Sequence, residues 1–157
     1  MVGSAAINIY QVSDEIIHMM NLAYKNIDDA FKQLIQFTSD RSDEIVKRED
    51  TVNILNTEIS DYISAALANP NVNANSSQAL ASFYLSLVHL ERMSDYAKNI
   101  NYQARKGIQN RLSREDQAII LEMADLTSEG QEKIYDYKAM KAISRKAHAR
   151  THEWRQM

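Results

Sequence analysis

Apolar residues recur along the chain at steps of three and four, the period of an amphipathic helix. From about Ile7 or Val12 to Phe37 they form a first stripe: Ile16, Met20, Ala23, Ile27, Ala30, Leu34 and Phe37. Thr38-Ser39-Asp40-Arg41-Ser42 interrupts it with a short polar connection. Ser42 followed by Asp43 and Glu44 reads as a helix start, because hydroxyl and carboxylate groups satisfy the free amides of a first turn. Ile45, Val52, Leu55, Ile59, Tyr62 and Ala66 make the second stripe. Pro70, within an Asn-rich run, breaks the pattern. After a restart at Ser76 or Ser77, Leu80, Phe83, Leu87, Leu90, Ser94, Ala97, Asn101, Ala104 and Ile108 form a third stripe, with Gly107 as its stop. Ser113 and Asp116 have capping-box spacing at the start of a fourth. Ile119, Met123, Leu126, Gly130, Ile134, Tyr137 and Met140 follow, and no stop signal precedes Trp154. Four amphipathic segments with short polar links predict an all-α, elongated antiparallel bundle. Residues 7–110 read as a three-helix bundle. Residues 111–157 read as a long C-terminal helix, the start of a truncated second repeat. Residues 1–6 lack any period and read as an expression remnant or a disordered stretch.

Composition narrows the picture. The 157 residues include three Gly, one Pro and no Cys. So few turn-formers argue against a barrel or sandwich of short strands, and thiol chemistry and disulfides are excluded. The net charge is -3, which does not fit a basic nucleic-acid binder. No apolar run reaches the roughly 18 residues of a membrane span, and the reading is a soluble, cytoplasmic protein. The charge is uneven. Residues 138–157 hold six bases against one acid, a net of +5, and the other 137 residues carry -8. The basic segment reads as a solvated face or as a contact for anionic lipid.

Candidate chemistry concentrates on the third segment. Glu91, Asp95 and Asn99 stand at i, i+4 and i+8, stacking three oxygen-bearing side chains beside the apolar stripe. Arg92 and Lys98 flank the row, so a charge-balanced solvated face is the plainer reading. On the second segment Glu49 and Asn53 stand one turn apart. Two such rows on neighbouring helices could supply four or more oxygens to a hard or borderline cation. Glu15-x-x-His18 is a single E-x-x-H, whereas a di-iron bundle needs two, with further Glu residues. His148 and His152 have the spacing of a helical metal pair but sit among Arg145, Lys146 and Arg150. Tyr84, Tyr96 and Tyr102 share the third segment and would suit a bundle edge or a homodimer contact. No phosphate loop or nucleophile triad is visible, so catalysis is not expected.

Glu91-Arg92-Met93-Ser94-Asp95-Tyr96-Ala97-Lys98-Asn99-Ile100 resembles the E-R-x-x-D-x-x-x-N-I signature of the PhoU family. Glu49-Asp50-Thr51-Val52-Asn53, followed by Leu55 and Glu58-Ile59, resembles the other acidic motif of that repeat. The resemblance covers about residues 7–110. It implies a non-enzymatic cytosolic regulator of phosphate uptake that acts on the membrane domain of a phosphate transporter or on its sensor kinase. It also implies the soluble part of a sodium-dependent phosphate cotransporter, on the cytosolic side of the membrane. Carried over, the metal ligands would be Glu49, Asn53, Glu91, Asp95 and Asn99, holding iron, zinc, magnesium or calcium. Asn53 departs from the family pattern by replacing a carboxylate, which weakens a multi-metal cluster. Docking would then depend on the metal. The alternative is a metal-free helical interaction module whose stripes take a partner helix.

Overall fold

The computed structural model describes residues 9–156, with side chains described for residues 9–134 and for Asp136. The expectation for residues 1–6 and the side chains of His148 and His152 lie outside the described residues. Four α-helices follow one another: α1 (Ile9–Ile35), α2 (Ser39–Leu67), α3 (Ala74–Arg105) and α4 (Arg114–Gln156), with a 3-10 turn at Ile108–Arg111 before α4. There is no strand among the described residues.

The helix boundaries have local causes. Thr38, in extended backbone, caps α2 by accepting from the Arg41 amide at 3.3 Å. The expected start at Ser42 is therefore one turn late: Ser42 is fully buried inside the helix. Asn73 caps α3, its side chain accepting from the Ser76 amide at 2.8 Å. Gly107 stops that helix in the left-handed region, φ 87, and its amide donates to the Ala104 carbonyl at 3.0 Å. That backbone angle strains any residue with a Cβ. Ser113 and Asp116 form the expected reciprocal box, with amide-to-side-chain bonds of 2.9 and 3.0 Å.

Helix α1 is the hub. It packs against α2, α3 and α4, whereas among the described residues α4 packs against no helix other than α1. One face of α1 therefore buries Met19, Asn26 and Gln33, and another lays Ile17, Met20 and Tyr24 along α4. A single first stripe is thus too narrow a description, because a helix with partners on several sides needs more than one apolar face. The third stripe is buried as read from Leu80 to Ala104, with Phe83 partly covered, while Ile108 at its end is exposed. The fourth stripe departs most. Ile120 and Ile134 are buried, but Ile119, Met123 and Leu126 are 56%, 44% and 61% exposed.

The interior of the α1–α3 bundle differs between its two ends. Around Val12, Ile16, Met19, Ile59, Ile63, Leu80 and Leu87 it is hydrocarbon. At the other end it is a polar knot. Gln33 Nε2 donates to the Thr38 carbonyl at 3.0 Å and to Asn101 Oδ1 at 3.1 Å. Gln33 Oε1 accepts from the Thr38 amide and from Arg41, both at 3.0 Å. Asn101 Nδ2 and Arg105 both donate to Ser42 Oγ, at 3.0 and 2.7 Å. One turn inward, Arg48 donates to Asp29 at 2.6 Å and to Asn26 at 3.2 Å.

Candidate functional site

Helices α2 and α3 run antiparallel, and cross-helix bonds fix their register. Arg105 meets Ser42, Lys98 meets Glu49, and Asn56 meets Glu91. Each step of seven residues down one helix is matched by seven up the other. The two oxygen-bearing rows expected from the sequence therefore lie side by side, with Asn53 level with Ser94, one residue from Asp95.

Within that frame each residue has a distinct setting. Glu49 is buried, 5% exposed, and its Oε1 takes the Lys98 ammonium at 3.3 Å and the Asn53 amide at 3.4 Å. Glu91 is half-buried, and its Oε2 accepts from Asn56 Nδ2 at 3.2 Å. Asn53, Asp95 and Asn99 are exposed. Glu49 and Glu91 sit two helical turns apart along the bundle, about 10 Å. Lys98, which the sequence shows only as a flanking base, is the residue that neutralises the buried Glu49. Asn56 is new to the site. Its signal was present as the i, i+4, i+7 run Glu49, Asn53, Asn56 on one face of α2.

The outer shoulder of this face is aromatic. Tyr84, Tyr96 and Tyr102 of α3 are 47%, 57% and 53% exposed, and the Lys106 ammonium stands 4.3 Å from the centre of the Tyr102 ring. His18, the one histidine of the E-x-x-H, is exposed and 4.0 Å from Glu15.

Residues 16–104 match the PhoU domain, a span that falls inside α1–α3 and takes in both oxygen-bearing rows. The chain belongs to the PhoU domain family. No curated protein and no solved structure gives a match. PhoU-domain proteins are regulatory rather than catalytic, and the domain implies a role in regulating phosphate uptake. PhoU proteins also bind metal clusters. The donor set of this chain does not fit one. No three His, Cys, Asp or Glu side chains converge among the described residues. The Lys98 ammonium already takes one oxygen of Glu49, and the backbones of Glu49 and Glu91 stand about two helical turns apart along the bundle.

Proposed function

We propose that this PhoU domain regulates phosphate uptake by docking, through the α2–α3 face, onto the membrane domain of a phosphate transporter or onto its sensor kinase. The observation that carries the reading is the coincidence of the PhoU match with a face whose outer residues are left for a partner. Asp95 and Asn99 are exposed acceptors, and the tyrosines beside them offer apolar area with a polar tip. Glu49 and Lys98 neutralise each other beside that face. The parent transporter in this reading is a sodium-dependent phosphate cotransporter, with the domain held on the cytosolic side of the membrane. No described helix is long and apolar enough to cross a membrane.

The test is phosphate uptake in cells carrying the Asp95→Lys, Tyr96→Ala double variant. The expected result is loss of phosphate-dependent control with the variant protein folded and at normal level. Unchanged control would overturn the docking face. The metal role of Glu49, Asn53, Glu91, Asp95 and Asn99 has its own measurement, calorimetric titration with iron, zinc, magnesium or calcium. Stoichiometric uptake lost in Glu91→Ala, Asp95→Ala would establish a metal site at these residues, which metal-dependent docking requires. Its absence would favour the metal-free interaction module.

A further inference from the structure

Acids of α1 are answered by bases toward one end of the bundle and not toward the other. Near the polar knot, Asp29 meets Arg48 of α2 at 2.6 Å, and Asp28 meets Lys32 at 2.9 Å. At the hydrocarbon end the pattern changes. Residues 9–24 and 51–90, which build that end, contain Asp14, Glu15, Glu58 and Asp61 and no Lys or Arg. The basic half of α4 does not reach the α2 side, because among the described residues α4 packs against no helix other than α1, along Ile17, Met20 and Tyr24.

A slot opens between α1 and α2 at this acid-only end. The buried Val12 and Ile59 and the half-buried Leu55 and Tyr62 make its walls, and the exposed Glu15 and Glu58 complete its lining from opposite helices. Its volume is about 90 Å³. A methylene takes close to a water's share of space, about 30 Å³, so the slot holds about three methylenes. That is the size of a side-chain stem and far below the roughly 300 Å³ at which cofactor sites begin. Two carboxylates lining one cavity repel each other, and a cation between them removes the cost. Glu58 forms no ion pair among the described residues. Glu15 has His18 Nδ1 at 4.0 Å, a cation only when protonated.

We propose that this slot takes a lysine side chain from the membrane-domain partner, its stem against Val12, Leu55, Ile59 and Tyr62 and its ammonium between Glu15 and Glu58. Lysine is the side chain that buries a methylene stem along apolar surface while its charged head stays at the rim. A metal ion would gain nothing from apolar walls, and no three His, Cys, Asp or Glu side chains converge among the described residues. The source of the lysine rests on the docking reading above, because cytosolic loops of membrane proteins carry an excess of Lys and Arg. The alkylammonium chemistry rests on the slot alone. The slot lies on the α1 side of α2, so it adds a contact point outside the α2–α3 face.

The probe is n-butylammonium, a lysine side chain without its backbone. The readout is methyl NMR of the full chain at about pH 8, where an ordinary imidazole is neutral. At constant ionic strength the probe should shift the methyls of Val12, Leu55 and Ile59, with a Kd on the order of millimolar. n-Butanol lacks the charge and ammonium lacks the stem, so each should bind about fivefold more weakly or worse. Glu15→Gln, Glu58→Gln should weaken the probe by about tenfold. Glu122→Gln, which alters an exposed acid of α4, should leave it unchanged. Glu58→Lys sets an ammonium beside the slot from within, so it should abolish probe binding. A short capped peptide with one central lysine should displace the probe, and the same peptide with norleucine there should not. Equal binding of n-butanol, unchanged affinity in the double variant, or displacement by the norleucine peptide overturns the proposal. So do shifts of the same methyls with protein concentration alone, which would put a second copy in the slot. Control of phosphate uptake does not enter these measurements, so the slot and the docking reading fail separately.

Discussion

A few buried polar side chains specify this bundle more than their number implies. Gln33 is fully buried yet makes four hydrogen bonds, reaching the α1–α2 connection, Arg41 of α2 and Asn101 of α3. Gln33→Ala would strand the Thr38 amide and half of the Asn101 carboxamide without partners, and an unsatisfied buried group costs more than a bond is worth. Urea denaturation should show a loss of about 3 kcal/mol, with CD confirming that the helices remain. The sequence showed Asn101 as a polar intruder in an apolar stripe, which was the legible half of this arrangement. Gln33 and Ser42 were not legible as core. One lay off the single stripe assigned to α1, and the other looked like a cap. At the candidate site the legible part was the two rows, one on each of two successive helices. The pairing was hidden, because whether Lys98 faces Glu49 or water depends on register, and register is set by contacts on other residues.

At the scale of the element, caps were the most readable feature and stripe assignment on α4 the least. Ser113 and Asp116 form the box that their spacing announced. The Ser113 amide, and next its hydroxyl, hold the Asp116 carboxyl below its ordinary range. A carboxyl whose folded value is depressed contributes stability above its unfolded value, near 3.9, and that contribution is lost as pH falls through the folded value. Amide exchange in the first turn of α4 should therefore accelerate as pH drops below about 4 relative to the intrinsic rate. Ser113→Ala should remove that step. Farther along α4, Gly130 exists for contact rather than for a turn. A Cβ there would meet Tyr24 Cε1 at 2.8 Å, closer than real contacts allow. Alanine ordinarily favours a helix over glycine by about 1 kcal/mol. Gly130→Ala should nonetheless destabilise, because overpacking costs about 1–3 kcal/mol, and Tyr24→Ala in the same chain should recover the loss in thermal melts. Periodicity alone ran the fourth stripe through Ile119, Met123 and Leu126. It could not show that α1 would take the neighbouring line through Ile120, because a helix with one partner and a wide apolar arc has two ways to sit.

For the whole molecule, the all-α architecture and the order of helices were open to reading, since four long periods with brief polar links leave little choice. The centrality of α1 was not, because sequence order says nothing about which helix ends up in the middle. The uneven interior has a consequence for how the helices find their alignment. Methyl and methylene groups near Ile63 and Leu80 reward contact in many offsets, whereas the Gln33–Asn101–Ser42 knot is satisfied in one. The hydrocarbon end therefore works as a lubricated bearing and the amide-rich end as a key that admits a single notch. A chain with that key filed away would still collapse into helices of the same length, but it would hold them at several slips instead of one.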